Sequence, residues 1–445
     1  MQEFIIEGGK SLAGELTASG NKNAALKMLP ACLLTEEPVI LTNLPDIGDV
    51  RVTIQILEKL GATTEWVAPK TLRVQAKDIK TGALDPQLGQ KTRASVVFSG
   101  PLLARLGRVE LPIPGGDTIG ERRLDTLTSA LEQLGGKLKF GRHALEITSK
   151  KLTGTNILLQ EASVTATENT LMAAVLARGT TVIRNTASEP HVQDLCHMLT
   201  AMGAQIEGIG TNCLTVTGVE QLHGCEARVG ADYMEVGSLI GAAVMTGGSL
   251  RIKEADPHHL DMIALVLGKL GVHWQVEGSD IFVPSGQLLT INRDLGNHIP
   301  TIKTQPWPAF PPDLMSIALV IATQSAGTVM FHDWMYESRF FFTDKLVRMG
   351  ANITLCDPHR VLVQGPTPLQ GVPYITSPDI RAGMAMLLAA LAAKGQTRIF
   401  NIQQIDRGYE RIDEKLNAIG ASIQRVTADV TSTGEVQMVN ETAQR

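Results

Sequence analysis

Four basic residues stand at or near the predicted starts of helices. They are Lys22, Arg122, Arg381 and Arg407. Backbone N–H groups and the helix dipole favour negative charge at such a position, and each charged hydrogen bond adds about 1.5–3 kcal/mol. Any one of these residues alone is more simply a solvated surface charge or a helix C-cap. Four of them at equivalent positions in the chain favour an anion-binding site over that simpler interpretation.

Two carboxylates are candidates for proton transfer. Asp117 lies in the glycine-rich loop from Pro114 to Gly120, and Asp313 follows two prolines and precedes an apolar segment. Asp117 has a simpler interpretation as a turn residue, and Asp313 has one as a helix N-cap. A helix start that faces a cleft is compatible with general acid–base chemistry, so the interpretation of Asp313 as an N-cap does not exclude such a role.

The elements that must position these residues recur six times. Each copy contains an apolar helix, a short strand and an amphipathic helix that ends in an apolar residue, a glycine and a small residue. These glycines, about 70 residues apart, are Gly61, Gly135, Gly203, Gly271, Gly350 and Gly420. At each of them we expect a left-handed C-cap. The period exceeds that of a solenoid unit, about 20–50 residues, so each copy is a small subdomain.

The first copy shows the pattern most clearly. Asn23 to Leu34 is apolar on nearly every side, which predicts a helix that is buried all round. Pro38 to Asn43 predicts a strand, Asp49 starts the amphipathic helix, and Thr63 to Val67 predicts a closing strand. The copy from Arg93 to Gly135 is the most distorted, because the glycine-rich loop separates its strand from its amphipathic helix. Such an insertion favours a functional loop.

Composition restricts the class of protein. The 445 residues, 44% of them hydrophobic, are sufficient for two or three domains with substantial cores. A net charge of −5 without a basic run argues against a nucleic-acid partner. The five cysteines have no metal-ligand spacing, and we interpret them as reduced thiols in the cytosol. The most apolar stretch, Met384 to Ala393, is too short to span a membrane.

Several longer motifs are more specific than these patterns. In chain order they are GNKNAAL from Gly20, PGGDTIG followed by Arg122, PAFPPDL, ESRF, PDIRAG and IDRGYERI. Together they resemble the enolpyruvyl transferases, in particular those whose acceptor is UDP-N-acetylglucosamine, and the similarity runs from about Gly8 to Arg425. It implies an α/β fold, a two-domain inside-out α/β barrel built from six βαβ-type repeats, three per domain. One domain would span 22–229 and the other 1–21 and 230–445, with the active site in the cleft between them.

The resemblance also implies a reaction. The enolpyruvyl group of phosphoenolpyruvate would pass to the 3-hydroxyl of UDP-N-acetylglucosamine with release of phosphate, in cytoplasmic synthesis of peptidoglycan precursors. No metal or organic cofactor is expected, and the two substrates are the expected partners. The catalytic residues implied are Asp117 as general acid, Asp313 as base, Lys22 and Arg407. The residues implied for phosphoenolpyruvate are Lys22, Asn23, Arg122, Arg381 and Arg407. Those implied for the UDP-sugar are Asn23, Arg93, Arg122, Arg123, Leu124, Asp125, Thr126, Glu161, Ala162, Ser163, Val164, Asp313, Met335 and Arg339.

The chain departs from the family pattern at several positions. Many members have a cysteine in place of Asp117, and fosfomycin inactivates them by alkylating that cysteine. Other family residues are replaced as follows: a lysine by Gly48, a proline by Arg123, a histidine by Leu127, a lysine by Glu161 and a glycine by Thr165. Arg123 is a candidate to supply the positive charge that is missing at Glu161.

These departures leave three hypotheses open. The chain is an enolpyruvyl transferase for UDP-N-acetylglucosamine, an enolpyruvyl transferase for another nucleotide-sugar or nucleoside acceptor, or a non-catalytic paralogue that binds a nucleotide sugar. For shikimate 3-phosphate the expected Asp-Lys-Ser opening is absent, and Asn-Lys-Asn stands at residues 21–23. Retention of Lys22, Asp313 and Arg407 argues against the non-catalytic paralogue.

Overall fold

The structure is a computed structural model that describes residues 2–114, 123–142, 144–430 and 436–439, with 428–430 and 436–439 described for the backbone alone. Asp117 and Arg122 therefore lie outside the described residues. Within these ranges, no helix combines the length and the apolar character needed to cross a membrane.

Six inner helices form the centre of the fold. They span Lys22–Ala31, Ser99–Leu106, Val164–Ala174, Tyr233–Met245, Met315–Ala322 and Ile380–Ala392. The second and fifth follow the 3₁₀ turns Arg93–Phe98 and Pro312–Leu314. The last three inner helices pack against one another, and the first three make contacts through the helix and 3₁₀ turn of the second copy. Most of their residues are buried, as predicted for Asn23 to Leu34, and the buried set includes polar side chains such as Lys27, Glu168 and Asn169.

Each repeat also contains an outer, amphipathic helix. These span Gly48–Leu60, Asp125–Gln133, Pro190–Ala201, Asp261–Gly268, Thr343–Arg348 and Ile412–Ala418. The glycine predicted to follow each one has a positive φ, between 86° at Gly271 and 114° at Gly61, so all six predicted left-handed residues are confirmed. Further short helices in the described residues are Pro86–Gly89 and Gln403–Asp406, and further 3₁₀ turns are Cys32–Leu34, Pro257–His259 and Leu295–Asn297.

The strands of the described residues form six small sheets around the helices. In spatial order, three of the sheets consist of Glu226–Arg228, Val39–Thr42, Thr71–Gln75 and Thr63–Ala68; of Arg108–Pro112, Ala144–Thr148 and Lys137–Phe140; and of Gln205–Glu207, Cys213–Thr217, Thr180–Arg184 and Asn156–Leu158. Two more consist of Gln275–Glu277, Asp280–Val283, Ser249–Lys253 and Ala13–Thr17, and of Thr301–Lys303, Gly327–His332, Arg360–Gly365 and Asn352–Asp357. The sixth consists of Ile375–Thr376, Gln396–Phe400, Gln2–Glu7, Ile423–Val430 and Val436–Val439. Helices lie inside and sheets outside, so the predicted α/β fold of six repeats is confirmed.

The buried apolar side chains form two separate cores. One contains residues between 24 and 229, and the other contains residues between 4 and 18 and between 233 and 423. The two chain segments that connect the cores run side by side, since the N–H of Asn21 donates to the carbonyl of Gly230 at 2.7 Å and that of Asp232 donates to Ser19 at 2.8 Å. We keep the division into domains 22–229 and 1–21 with 230–445 as a proposal, which the separation of the cores supports.

Candidate functional site

The starts of four inner helices are bonded in two pairs, and the charge of Arg381 in one pair acts on the Asp232 carboxylate in the other. The backbone N–H of Lys22 donates to the carboxylate of Asp232 at 3.2 Å, and Asp232 also caps its own helix through the N–H groups of Met234 and Glu235. The hydroxyl of Ser316 donates to the carbonyl of Arg381 at 3.2 Å. Helix starts that converge in this way create a positive region, which favours an anionic ligand.

Lys22 and Arg407 share one carboxylate, that of Asp49. The Lys22 Nζ lies 2.8 Å from Oδ2 of Asp49, and the Arg407 Nε lies 2.9 Å from Oδ1. The Arg407 Nη1 also donates to Gln404 at 2.8 Å. The side chains of Lys22 and Asp49 are almost fully buried, and Arg407 is one-fifth exposed. This cluster joins the first inner helix, the first outer helix and the segment before the last outer helix.

The charges of this cluster depend on one another. Burial lowers the pKa of Lys22, the Asp49 carboxylate opposes that decrease, and the positive charges of Arg407 and Arg381 add to it. Burial also opposes ionisation of Asp49, but the charges of Lys22 and Arg407 outweigh it and hold the pKa of Asp49 below its ordinary value. Asp49 is therefore a carboxylate at neutral pH.

Asp313 lies in a second cluster beside the first. Its Oδ2 accepts from Nε of Arg381 at 3.1 Å, and its Oδ1 accepts from Nη2 of Arg339 at 3.4 Å. Arg339 also lies 3.6 Å from the buried carboxylate of Asp333, whose Oδ1 accepts from the hydroxyl of Thr304 at 2.9 Å. Both arginines are buried, whereas the Asp313 side chain is three-tenths exposed and open to a substrate.

The two arginines control the protonation of Asp313. Burial alone would raise the pKa of this carboxyl, but the charges of Arg381 and Arg339 hold it at about 2. In this geometry Asp313 is ionised yet weakly basic, since a carboxylate with such a pKa binds a proton poorly. A role as base therefore requires that one of its arginine partners turn to the substrate.

One expectation and one alternative interpretation about local structure were wrong. Arg407 was expected at or near a helix start, but it lies at the C-terminal end of the Gln403–Asp406 helix, because a turn of helix that the sequence pattern did not predict precedes it. The ion pair with Asp49, not a helix dipole, fixes its position. The simpler interpretation of Asp313 as an N-cap was also wrong, since Asp313 lies inside the 3₁₀ turn Pro312–Leu314 and its carboxylate binds arginines instead of backbone N–H groups.

The residues implied for the UDP-sugar lie in several separate segments of the chain, some in the proposed domain 22–229 and others in the proposed domain of 1–21 and 230–445. Arg93 begins the 3₁₀ turn of the second copy and is half-buried, as is Asn23 on the first inner helix. Ser163 caps the Val164–Ala174 helix by accepting from the N–H of Ala166 at 3.4 Å. Glu161 is exposed, and Ala162 is half-buried.

The segment after the glycine-rich loop leads into the Asp125–Gln133 helix, which packs against the Val164–Ala174 helix. Leu124 precedes this helix, Thr126 is buried within it, and Asp125 forms an ion pair with Arg123 at 2.9 Å. Arg123 is thus engaged by Asp125, and its compensation for Glu161 stays a prediction.

Met335 follows the strand Gly327–His332, and its N–H donates to the carboxylate of Asp333 at 3.0 Å. Arg339 lies close by in the chain and contacts both Asp333 and Asp313. The Met335 segment is therefore linked to the Asp313 cluster through Asp333. Arg122, which is also implied for the UDP-sugar, lies outside the described residues.

The sequence alone did not identify Asp49, Asp232 or Asp333 as residues of the site. Helical periodicity indicates that Asp49 is buried, because it shares a helix face with Thr53, Ile56 and Leu60, which are all buried. A carboxylate on a buried face needs a partner of opposite charge, which should have marked it as a site residue. Asp232 and Asp333 were recognisable only from contacts between distant parts of the chain.

Comparison with known proteins finds relatives over nearly the whole chain. The family model described as EPSP synthase (3-phosphoshikimate 1-carboxyvinyltransferase) matches residues 6–416. The chain is 54% identical to a UDP-N-acetylglucosamine 1-carboxyvinyltransferase of Bradyrhizobium diazoefficiens, over 95% of this chain and 98% of the relative. It is 51% identical to the protein of the same name from Treponema denticola, over 95% of this chain and 99% of the relative.

Two solved structures have the same fold. The crystal structure of the enolpyruvyl transferase NikO from Streptomyces tendae matches with a TM-score of 0.86 and 24% identity, over 96% of this chain and 99% of that chain. EPSP synthase from Acinetobacter baumannii matches with a TM-score of 0.73 and 18% identity, over 96% of this chain and 100% of that chain. At such identities the likeness concerns the fold alone.

Proposed function

The chain belongs to the enolpyruvyl transferase family and, within it, to the UDP-N-acetylglucosamine 1-carboxyvinyltransferases, and we propose that it transfers the enolpyruvyl group of phosphoenolpyruvate to the 3-hydroxyl of UDP-N-acetylglucosamine. The reaction releases phosphate and supplies a precursor of peptidoglycan. We place it in the cytoplasm.

One structural observation connects the proposed reaction with the candidate site. Lys22, Arg407 and Arg381, all proposed ligands of phosphoenolpyruvate, lie in two adjacent clusters that also contain the proposed base, Asp313. Phosphoenolpyruvate has a phosphate and a carboxylate, which several fixed cations can bind together. We assign Lys22, Asn23, Arg381 and Arg407 to this substrate, together with Arg122.

The proposed chemistry has two stages. In the first, Asp117 protonates the vinyl carbon of phosphoenolpyruvate, and the 3-hydroxyl oxygen of the sugar attacks the neighbouring carbon while Asp313 takes the hydroxyl proton. In the second, the Asp117 carboxylate takes back a methyl proton from the tetrahedral ketal, the carbon–carbon double bond re-forms, and the departing phosphate takes up the proton that Asp313 held, so both side chains return to their starting states. Lys22 and Arg407 stabilise the negative charge that the departing phosphate gains.

The acceptor lies between the two proposed domains. We assign its binding to Arg93, the Arg123–Thr126 segment and the Glu161–Val164 segment of one domain, and to Met335 and Arg339 of the other. Asp313 and Asn23 lie where the donor and acceptor sites meet. A cleft between the domains, if it closes over both substrates, protects the ketal from water.

A phosphate-release assay with a panel of acceptors tests this proposal. We expect release that requires both phosphoenolpyruvate and UDP-N-acetylglucosamine, with little from UDP-N-acetylgalactosamine, UDP-glucose or shikimate 3-phosphate. Faster release with another acceptor would favour the second hypothesis, and no release with any acceptor would favour the non-catalytic paralogue.

A further inference from the structure

Both oxygens of the Asp49 carboxylate are bound to cations that we assign to phosphoenolpyruvate. Oδ2 lies 2.8 Å from the Lys22 Nζ and accepts from Arg407 Nη2 at 3.3 Å, while Oδ1 accepts from Arg407 Nε at 2.9 Å. The contacts between Asp49 and Arg407 join residues 358 positions apart, from the two chain regions that form the two different cores. A single carboxylate thus sets the distance between two ligands of one substrate.

Asp49 itself is held firmly. It lies in the first turn of the Gly48–Leu60 helix, whose buried side chains include Ile54 and Leu57. The hydroxyl of Thr53 donates to the Asp49 carbonyl at 2.8 Å. The helix start also stabilises the negative charge of the carboxylate. A side chain anchored in this way can orient its partners.

The charge of Asp49 also acts on the protonation of Lys22. The Lys22 ammonium is buried, and Arg407 and Arg381 add positive charge near it; all three effects favour loss of its proton. The Asp49 carboxylate is the group that opposes them. Without this carboxylate, we expect Lys22 to become neutral at a lower pH.

We infer that Asp49 is a positioning residue of the phosphoenolpyruvate site: it orients Lys22 and Arg407 and keeps the Lys22 ammonium charged. The inference deepens the proposed function and rests on it. It makes an unusual prediction about binding. A carboxylate near an anion site repels the anion, so its removal should tighten binding if charge alone matters. If Asp49 positions the two cations, its removal weakens binding instead.

The test compares Asp49→Asn with the wild type and with Asp46→Asn. Asp46 is the matched control, because it pairs with Arg51 on the surface at 2.6 Å and its substitution makes the same change of charge. We expect Asp49→Asn to raise KM for phosphoenolpyruvate about tenfold or more, a loss of about 1.4 kcal/mol, with a smaller effect on kcat. KM for UDP-N-acetylglucosamine should change little, and the control should behave as wild type.

The pH profile provides a readout that a purely structural role would not change. In Asp49→Asn the alkaline limb of kcat/KM for phosphoenolpyruvate should move to lower pH by about one unit, because Lys22 loses its proton more readily. Asp49→Glu keeps the charge and should return the limb towards its wild-type position. An Asp49→Asn enzyme with equal or lower KM and an unmoved limb would overturn the inference.

Side-chain NMR of ¹⁵N-lysine, with the Lys22 signal assigned by Lys22→Arg, separates the inference from the proposed function. It measures the Lys22 pKa without substrate, and we expect a lower value in Asp49→Asn than in wild type. If Asp49→Asn does not fold, Asp49→Glu is measured in its place. Because Asp49→Glu keeps the negative charge, a raised KM for phosphoenolpyruvate with an unchanged Lys22 pKa in this variant supports the inference. A wild type without phosphate release would refute the function alone, whereas an unchanged Lys22 pKa in folded Asp49→Asn would refute the inference.

Discussion

The Nε of Arg381 donates to the carboxylate of Asp313 at 3.1 Å, which pairs the proposed base with a proposed ligand of phosphoenolpyruvate. With Arg339, this arginine holds the pKa of Asp313 at about 2. An anionic substrate that binds Arg381 weakens that pair. Binding of phosphoenolpyruvate should therefore raise the pKa of Asp313 and prepare it to accept the proton of the sugar hydroxyl.

Substitution of Asp313 tests this relationship. We expect Asp313→Asn to lower kcat at least about a hundredfold, because a general base contributes about 10²–10⁴-fold, while the amide keeps the shape of the side chain. The matched control is Asp344→Asn, which removes an exposed carboxylate that pairs with Lys345. Steady-state kinetics of both variants provide the measurement. A kcat within a few-fold of wild type would exclude Asp313 as the base.

Asp117 as general acid requires a raised pKa. A free aspartate, with a pKa of about 3.9, is protonated about once in a thousand molecules at neutral pH. We therefore expect the wild-type kcat, which reports the closed complex with both substrates bound, to fall at high pH with an apparent pKa well above 3.9, and Asp117→Cys to move that limb of kcat towards thiol values. Asp117→Asn should lose at least about a hundredfold in kcat and still bind UDP-N-acetylglucosamine. If Asp117→Asn turns over at nearly the wild-type rate, the acid is another group, with Lys22 the next candidate.

The aspartate at position 117 should also change the response to fosfomycin. A carboxylate is a much weaker nucleophile towards an epoxide than a thiolate is. We expect the wild type to resist covalent inactivation and Asp117→Cys to become sensitive while it stays active. Mass spectrometry after incubation with fosfomycin checks this, and a time-dependent adduct on the wild type would contradict it.

Glu168 should make stability depend on pH. It is buried on an inner helix 3.5 Å from the Lys27 Nζ, and burial raises its pKa to about 8. Since the folded pKa lies above the unfolded value of about 4.3, its contribution to stability is complete below that value and is lost as pH rises through about 8. The free energy of unfolding should fall over this window by at most about 1.4 kcal/mol per pH unit from this group.

Denaturant titrations from about pH 5 to about pH 9 measure this dependence. Glu168→Gln should show a flatter profile than wild type, whereas Glu132→Gln, on an exposed face of an outer helix, should follow the wild type. Parallel profiles for Glu168→Gln and wild type would show that Glu168 is not the titrating group.

Much of the fold was predictable because its signals are local. Continuous apolar segments indicated the inner helices, helical periodicity indicated the outer helices, and glycines such as Gly61 and Gly420 marked their ends. The same local signals indicated strands such as Val39–Thr42 and Thr63–Ala68. The recurring pattern gave the six repeats, and family resemblance then implied their arrangement in a two-domain inside-out barrel.

The pairings inside the site were not predictable in this way, because they join residues that are distant in the chain. Lys22 and Asp232 are 210 positions apart, and Asp49 and Arg407 are 358 positions apart. Local rules placed Arg407 at or near a helix start and offered an N-cap as the simpler interpretation of Asp313. Tertiary ion pairs determine both positions instead, since a buried charge must find its partner wherever the fold places it.

Identification of the reaction product tests the central proposal most directly. The purified protein is incubated with phosphoenolpyruvate and UDP-N-acetylglucosamine, and the nucleotide-sugar product is isolated and analysed by mass spectrometry and NMR. We predict one new product with an enolpyruvyl ether at the 3-oxygen of the sugar, formed in a one-to-one ratio with phosphate. Unchanged UDP-N-acetylglucosamine, or an enolpyruvyl group at another position, would contradict the account.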